Sequence, residues 1–423
     1  MKVFMLSFKV NGIKNIEKEI EINFYNKTLK RFNPCGSNVK GIFGPNGIGK
    51  TSIIKGMDIL RKISLNDNYL TNDFNIIILD KIINKKIEKA KLEVEFLVIK
   101  NKKKYRYIHS ITIARTSTKE IKILNEKIIK KDPNTDQILW QILIENGIIK
   151  NDSIHKGDLK AQIIDVTKNL LEKRSVVNIV KSSLLESTDL ENIYYFYKKL
   201  YIKLDRGDSH FTYALLDNIL KAPMKDEVPF NNSIGNYDMT IPKNSLEVFE
   251  DYLRRMTKFL KIFKSNLKNI EYEKKEDEEY YYINILFVYN NYKVDYEFES
   301  MGIKNLFSLF TYFRALSDDE VVVIDEIDTS IHDIYLNKLI EFFAVDGKGQ
   351  LVFTAHNITL LQTLKKYKHS IDFINENMEV VSWVKNGNST PFKSYKDGYI
   401  KGLPFNIKEY DFLEIFSQES DVE

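Results

Sequence analysis

The sequence contains few of the features that mark a secreted or membrane protein. Its 423 residues include one cysteine, Cys35, which excludes an intramolecular disulfide and indicates a reducing compartment. No uncharged apolar run approaches the roughly 20 residues of a membrane-spanning helix, and the N-terminal residues are too quickly charged for a signal peptide. We therefore expect a cytoplasmic protein without a membrane segment.

The chain also has little excess charge of either sign. Its 63 basic and 59 acidic residues leave a net charge of +4, which is too small to predict nucleic-acid binding without a local basic patch. Hydrophobic residues make up 43% and charged residues 29% of the chain, as in an ordinary globular protein. The length is sufficient for two or three domains.

Glycine is sparse, with 17 in the chain, yet it is concentrated in the most informative stretch, residues 38–56. Within that stretch Gly44, Gly49, Lys50 and Thr51 match the phosphate-binding loop pattern of glycine, four residues, and then Gly-Lys-[Ser/Thr]. The pattern predicts a nucleotide site, which we expect to be formed by Gly44, Pro45, Asn46, Gly47, Ile48, Gly49, Lys50, Thr51 and Ser52.

Each residue type in this loop has a chemical reason. Gly44, Gly47 and Gly49 let the backbone turn so that successive N–H groups point at phosphate oxygens. Lys50 can reach the β- and γ-phosphates, and the Thr51 hydroxyl can bind Mg²⁺. The predicted cofactors are therefore ATP and Mg²⁺.

The segments on either side of the loop agree with this prediction. Residues 39–43 form a short apolar run that predicts a strand, and residues 52–63 predict a helix. The helix carries apolar residues on one face, namely Ile53, Ile54, Met57, Leu60 and Ile63. Its positive N-terminal end would point at the bound phosphates.

A second strong signal lies at residues 320–328. The apolar run Val321–Ile324 predicts a buried parallel strand, and Asp325 and Glu326 follow it where α/β sheets bind ligands. Asp325 would hold Mg²⁺ directly or through water, and Glu326 would orient and polarise the attacking water. Together they predict a phosphoryl-transfer site.

Two further segments add polar groups near phosphate. His356 ends the apolar strand predicted over residues 351–356, where it could hydrogen-bond the γ-phosphate as a third catalytic group beside Lys50 and Glu326. Ser300 and Gly302 precede a helix predicted over residues 306–316. Such a helix start can bind an anion, although an ordinary helix cap is the simpler interpretation.

The order of these segments resembles that of ABC-type ATPases over residues 1–60 and 292–385. This resemblance implies an α/β fold, an ABC-type P-loop NTPase head in which helices flank a mixed sheet. It also implies that Ser300 and Gly302 bind the γ-phosphate of ATP held by another subunit. We therefore expect an ATP-sandwiched homodimer or a higher homo-oligomer, with Asp328 in the loop that crosses the interface.

Within that superfamily the sequence is more similar to SMC, RecF and OLD heads than to transporter subunits. Transporters carry Leu-Ser-Gly-Gly-Gln, whereas residues 299–304 read Glu-Ser-Met-Gly-Ile-Lys. Residues 325–332 and 395–404 resemble "AAA family" ATPases of abortive-infection and phage-defence operons, including the PARIS, Septu and retron-linked systems. The resemblance implies a partner effector encoded in the same operon, with a nuclease as the expected type.

The sequence departs from the family pattern in two ways. No glutamine occurs before Gln137, so the usual Mg²⁺-reporting glutamine is missing, and Asn72, Asn75 or no residue takes its place. The roughly 250 residues between Lys50 and Ser300 also lack the long heptads of SMC coiled coils. DNA tethering over long distances is therefore not expected.

The remaining pattern predicts three parts. Residues 1–114 would form the first half of the ATPase head, with strands over 2–10 and 19–25 and a hairpin over 92–114. Residues 115–267 would form a mainly helical insertion with helices over 158–171, 178–185 and 190–204, and a heptad-spaced helix over 244–267. Residues 268–423 would complete the head.

Two other functions remain open from the sequence. One is a RecF-like DNA-repair ATPase, which would bind DNA along lysines such as Lys102, Lys103, Lys104, Lys130, Lys131, Lys264 and Lys268. The other is a scaffold in which ATP is only structural. Glu326 argues against the scaffold, because a structural site needs no group that polarises water.

Overall fold

The computed structural model of the chain describes residues 1–25, 38–116, 120–204, 238–367, 369–383, 390–400 and 402. Within these ranges the protein has an α/β fold in which helices flank three β-sheets. This arrangement agrees with the fold class predicted from the sequence. None of the described helices is both long and apolar enough to cross a membrane.

The first sheet is antiparallel and contains seven strands. They are β1 (Lys2–Asn11), β2 (Ile20–Asn23), β4 (Lys89–Lys100), β5 (Lys103–Arg115), β6 (Ile121–Lys131), β7 (Ile138–Glu145) and β8 (Ile148–Asp152). Their order is β2-β1-β4-β5-β6-β7-β8. The hairpin predicted over residues 92–114 is confirmed as β4 and β5, and Asn101 and Lys102 turn between them with positive φ.

The second sheet carries the phosphate loop. Its strands are β3 (Val39–Phe43), β9 (Leu200–Lys203), β14 (Val321–Ile324), β15 (Gln350–Ala355), β16 (Ile371–Ile374) and β17 (Val380–Ser382). They lie in the order β17-β16-β3-β15-β14-β9 and are parallel except for β17. The carboxyl ends of β3, β14 and β15 therefore meet at one edge of the sheet, as the sequence predicted.

A third, antiparallel sheet contains β10 (Met239–Pro242), β11 (Asn269–Glu276), β12 (Tyr280–Val288) and β13 (Lys293–Asp295). The described α-helices are α1 (Lys50–Leu65), α2 (Asp73–Ile82), α3 (Gly157–Thr167), α4 (Val176–Ser182), α5 (Thr188–Lys198), α6 (Leu246–Phe263), α7 (Met301–Ser317), α8 (Asp333–Asp346), α9 (Leu360–Leu364) and α10 (Pro391–Lys396). Short 3₁₀ turns precede α6 and α7, at Lys243–Ser245 and Tyr296–Phe298.

Strand β14 is apolar at every position because both of its faces are buried. Val321 and Val323 lie in the core that contains α1, α4, α5 and the first sheet. Val322 and Ile324 lie in the opposite core, which contains α6, α7, α8 and the third sheet. A continuous apolar run is the pattern expected of such a strand, and it places the residues after Ile324 at the edge between two packed layers.

The helix with heptad spacing packs inside its own chain. In α6 the apolar seam of Phe249, Leu253, Met256 and Leu260 is at most 4% exposed and belongs to the second core. The heptad spacing of this helix therefore reflects packing within its own chain.

Two expectations about the middle of the chain are wrong. Residues 121–152 show too little alternation to predict strands, yet they form β6, β7 and β8. The pattern is lost because the β5–β6 register shifts between Thr112 and Ile113, and a shift of this kind moves the apolar residues of a strand to the other face. The inward-facing Glu126 obscures the pattern further, since it is fully buried.

The helix predicted over residues 190–204 is also wrong in its second half. Helix α5 ends at Lys198, and Leu200–Lys203 form β9, the edge strand beside β14. The sequence pattern does not distinguish a helix from a strand here, because a short apolar run such as Leu200–Lys203 fits either one when it is buried.

The division into parts 1–114, 115–267 and 268–423 stays a prediction, but β9 joins the second part to the nucleotide-binding sheet. Pro223 and Pro229 predict a loop from the sequence, and this segment lies outside the described residues.

Candidate nucleotide-binding and hydrolysis site

The phosphate loop connects β3 to α1, as the sequence predicted. Phe43 is the last residue of β3 and Lys50 is the first of α1. Gly47 has φ +76°, a conformation that residues with a side chain rarely adopt. A β-carbon at Gly47 would meet no described atom within 4 Å, so the loop backbone faces open space. The open space beside Gly47 leaves room for a phosphate group.

Lys50 lies inside the loop. Its ammonium donates hydrogen bonds to the carbonyl oxygens of Gly44, at 2.6 Å, and Pro45, at 2.8 Å. Burial lowers the pKa of Lys50, while the nearby carboxylates of Asp325, Glu326 and Asp328 act in the opposite direction. Strands β3 and β14 both pair in parallel with β15, so the phosphate loop and the acidic turn after β14 lie at the same edge of the sheet.

Asn15 is a contact of the loop that the sequence analysis missed. Its Nδ2 donates to the carbonyl oxygen of Gly47 at 2.9 Å, and its Oδ1 lies 3.4 Å from the hydroxyl of Ser52. The side chain therefore spans the loop and the first turn of α1. Asn15 occupies a connection after β1, and a single polar residue in a connection carries no sequence pattern that reveals this contact.

Asp325 is the best candidate for a metal ligand. It is 1% exposed, and its Oδ2 has no hydrogen-bond partner among the described residues. A buried carboxylate oxygen without a partner is costly unless a cation or a donor reaches it. This oxygen therefore fits Mg²⁺, for which Asp325 and Thr51 would be the protein ligands. No group of three or more acidic, histidine or cysteine side chains forms a closed metal site in the described ranges.

Glu326 and His356 lie side by side at the carboxyl edge of the sheet. His356 Nε2 is 3.7 Å from Glu326 Oε1, and both side chains are partly exposed, at 39% and 32%. Glu326 has φ +48°, so the backbone turns sharply directly after Asp325. The Thr329 hydroxyl lies 3.4 Å from Glu326 Oε2. The group predicted to polarise the attacking water and the group predicted to contact the γ-phosphate are thus neighbours.

Asp328 fixes the loop that carries His356. Its Oδ2 accepts hydrogen bonds from the backbone N–H groups of His356, at 2.9 Å, and Asn357, at 2.6 Å. The predicted interface residue Asp328 therefore also has a role within its own chain, because it holds the ends of β14 and β15 together.

Ser300 and Gly302 begin α7 at the same edge of the sheet. Ser300 is exposed and its side chain makes no capping hydrogen bond. A β-carbon on Gly302 would approach the carbonyl oxygen of Ser330 to 2.9 Å, and Asn305 Nδ2 donates to the carbonyl of Thr329 at 2.5 Å. The helix start is thus packed against the turn that follows Glu326. None of its described hydrogen bonds reaches the phosphate loop of the same chain.

A buried carboxylate supports the residue before Ser300. Glu299 accepts hydrogen bonds from the hydroxyl of Tyr289 and from the backbone N–H of Ser300, and Lys264 lies 3.4 Å away. Burial acts to raise the pKa of Glu299, but these contacts outweigh it, so the pKa lies below its ordinary value. The backbone at Ser300 is held by this network.

Among the hydrogen bonds of the described residues, none joins Asn72 or Asn75 to the phosphate loop. The Asn72 side chain caps α2 by accepting the N–H of Asn75. Asn72 is therefore a helix cap.

Several lysines of the alternative DNA path are already paired within the chain. Lys130 binds Asp189, Lys131 lies 3.6 Å from Asp136, and Lys264 lies near Glu299. Internal pairing reduces the positive field that a phosphate backbone would meet.

A Ser-His-Asp cluster outside this site resembles the hydrogen-bond order of a hydrolase triad. His155 Nδ1 lies 2.7 Å from Asp152 Oδ2, and His155 Nε2 lies 2.8 Å from the hydroxyl of Ser187. Each of the three residues is only 5% exposed. A nucleophile needs room for its substrate, so we assign this cluster to packing between the end of β8 and the start of α5.

Comparison with known proteins places this geometry in context. A family model described as "AAA domain, putative AbiEii toxin, Type IV TA system" matches residues 40–159 and 192–362. Among solved structures, the chain is similar to the SMC head domain from Thermotoga maritima. The identity is 13% and the TM-score 0.36, over 91% of this chain and 100% of that one. No curated protein matches the chain.

Proposed function

The chain belongs to the AAA-domain family whose model matches more than half of its length, and from that premise we propose that it is an ABC-type ATPase. It binds ATP with Mg²⁺ and hydrolyses it to ADP and phosphate. The observation that carries this proposal is that Lys50, Asp325, Glu326 and His356 all follow parallel strands at one edge of the same sheet.

The binding step follows from the loop geometry. The backbone of the loop between Phe43 and Lys50 is open toward solvent at Asn46 and Gly47, and α1 begins directly behind it. A polyphosphate in this position meets N–H groups, the positive end of α1 and the ammonium of Lys50. The Asn15 side chain donates to the Gly47 carbonyl oxygen and so holds the loop backbone at this position.

The hydrolysis step requires a base, a contact for the transferred group and a negative ligand for the metal. Glu326 is exposed enough to reach a water molecule, and His356 beside it can donate a hydrogen bond to the γ-phosphate. Mg²⁺ bound by Thr51 and Asp325 would supply charge neutralisation at the β- and γ-phosphates. Asp325 is suited to this role because its Oδ2 is buried and has no described partner.

The proposed active form is a head-to-tail homodimer with ATP between the subunits. Ser300 is flanked by two of the most exposed apolar side chains, Phe298 at 76% and Met301 at 68%. Large exposed apolar groups beside a polar anion-binding end favour a contact with another protein surface. The exposed Ser300 side chain and the N–H groups at the start of α7 would then complete the phosphate site of the partner subunit.

The biological role that we propose is control of a partner effector, with a nuclease as the expected type, in anti-phage defence. The family description, which names a toxin of a type IV toxin–antitoxin system, supports a defence role. ATP binding would assemble the dimer and hydrolysis would reset it. A DNA-repair ATPase is the second candidate, but the internal pairing of Lys130, Lys131 and Lys264 favours the first.

The experiment that tests this function compares wild type with Glu326→Gln. We expect wild type to hydrolyse ATP in the presence of Mg²⁺, whereas Glu326→Gln should bind ATP, lose turnover and elute as a stable dimer from a sizing column. A Glu326→Gln protein that stays monomeric with ATP and keeps the wild-type rate would overturn the mechanism. Co-purification of the chain with the product of the adjacent gene tests the effector.

A further inference from the structure

Strand β15 supplies a residue that no motif marks, Thr354. It is fully buried and lies two residues before His356, next to the acidic turn after β14. Because β14 and β15 are parallel and Ile324 pairs with Phe353, Thr354 faces the chain where Asp325 begins the turn.

Thr354 contacts three consecutive residues of that turn. Its hydroxyl donates to Asp325 Oδ1 at 2.5 Å and accepts the backbone N–H of Glu326 at 2.8 Å. Its carbonyl oxygen accepts the backbone N–H of Ile327 at 3.1 Å. A carboxylate oxygen only accepts hydrogen bonds, so the single proton of the Thr354 hydroxyl points to Asp325 and a lone pair accepts the Glu326 N–H.

These contacts determine how the two carboxylates point. With Oδ1 occupied by the Thr354 hydroxyl, Asp325 presents Oδ2, the oxygen without a described partner, to the site. The left-handed backbone of Glu326, φ +48°, needs support because a residue with a side chain is strained there. The hydrogen bond from the Glu326 N–H to Thr354 provides that support and points the carboxylate toward His356.

We propose that Thr354 is a positioning residue that orients Asp325 toward the Mg²⁺ of ATP and holds Glu326 in the geometry for hydrolysis. The proposal rests on the proposed function for the identity of the ligand. It assigns to the buried hydroxyl a role that a packing residue of the same shape cannot fill. Partners of metal ligands typically change metal affinity or activity by about 10–100-fold when they are removed.

Three full-length variants test this role. Thr354→Val keeps the shape and removes the hydroxyl, while Thr354→Ser keeps the hydroxyl and removes a methyl group. Thr257→Val is the matched control, because the Thr257 hydroxyl is also buried but donates to the Leu253 carbonyl within α6. Thermal melting of each variant checks that the fold is retained.

Two binding measurements and one rate measurement give the result. We measure Mn²⁺ binding by electron paramagnetic resonance with a non-hydrolysable ATP analogue, binding of a fluorescent ATP analogue in EDTA, and ATP turnover. Thr354→Val should weaken Mn²⁺ binding and lower kcat by about 10–100-fold. Its metal-free nucleotide affinity should stay within about twofold of wild type, since the phosphate loop is unchanged. Thr354→Ser should restore most of both losses.

The outcomes separate this inference from the function on which it rests. Wild-type Mn²⁺ binding by Thr354→Val, or equal losses in the valine and serine variants, would overturn the positioning role. An equal loss in Thr257→Val would do the same. If wild type shows no ATP turnover but Mn²⁺ binding still depends on the hydroxyl, the proposed hydrolysis fails and the orientation of Asp325 stands.

Discussion

His356 Nε2 and Glu326 Oε1 are 3.7 Å apart although 30 positions separate the two residues in the chain. The distance is close enough for the imidazole to share a γ-phosphate or a water molecule with the carboxylate. We expect His356→Ala to lower kcat by about 100-fold, as for the loss of a group that acts on the transferred proton or charge. Steady-state ATPase assays measure this.

The stability of the His356→Ala variant should change little, because the side chain is 39% exposed and its backbone N–H, not its ring, binds Asp328. A wild-type rate in a folded His356→Ala protein would remove His356 from the mechanism. A matched substitution of the exposed His332, which caps α8, should leave kcat unchanged.

The head-to-tail arrangement predicts that two inactive variants complement each other. Lys50→Ala damages the phosphate loop, and Ser300→Arg blocks the helix start that would reach the partner's ATP. Each protein alone should be inactive. In an equal mixture half of the dimers contain one intact site, so about a quarter of the wild-type ATPase rate should return.

A second mixture controls for this result. Lys50 and Glu326 of one chain act in the same ATP site. In a mixed dimer of Lys50→Ala and Glu326→Gln each of the two sites therefore carries one of the substitutions, and no rate should return. Recovery in both mixtures, or in neither, would contradict a site shared between Ser300 of one chain and Lys50 of the other.

The network at Glu299 predicts a pH dependence of stability. The pKa of Glu299 lies below its ordinary value of 4.5 in the folded state. The carboxylate therefore stabilises the fold fully above the unfolded pKa, and this contribution is lost as the pH falls through the folded pKa. Glu299→Gln should lower the urea midpoint by a constant amount near neutral pH, and the gap to wild type should shrink below about pH 4.5.

The exposed pair of Glu271 and Lys293 offers a control for that experiment. Glu271→Gln should shift the urea midpoint far less at neutral pH, because exposed ion pairs contribute little. A Glu299→Gln gap that persists unchanged at acidic pH would show that the charge of Glu299 is not the cause.

The buried cluster of Asp152, His155 and Ser187 predicts a loss of stability on substitution. His155→Ala leaves a buried carboxylate oxygen and a buried hydroxyl without the ring that now contacts both. The expected cost is about 2–4 kcal/mol of the free energy of unfolding, measured by chemical denaturation. His332→Ala, at an exposed position, should cost less than about 1 kcal/mol. Equal costs would contradict a structural role for the cluster.

The nucleotide-binding edge could be predicted because its strands obey simple rules. Val321–Ile324 is buried on both faces, so it reads as a short apolar run that ends at acidic residues, and Val39–Phe43 is equally buried and ends at the phosphate loop. Parallel strands then place their carboxyl ends together, which is why Lys50, Glu326 and His356 could be grouped without knowing the pairing order.

The second half of the first sheet was harder to predict, although one signal was available. Asn146-Gly147 joins β7 to β8 with positive φ at both residues, the turn that favours a two-residue hairpin. The register shifts in this sheet hide the alternation on either side. Asn15 and Thr354 could not be assigned, because their contacts arise from strands and connections that only tertiary packing brings together.

Strand β9 has a consequence for protein engineering. It lies within residues 115–267, yet the carbonyl oxygen of Lys203 accepts the backbone N–H of Asp325 at 2.8 Å. Excising that whole segment to obtain a minimal ATPase would remove this acceptor and uncover the apolar edge of β14. A shortened chain that keeps α5 and β9 retains both, so the helix–strand unit Thr188–Lys203 sets the limit for any useful truncation.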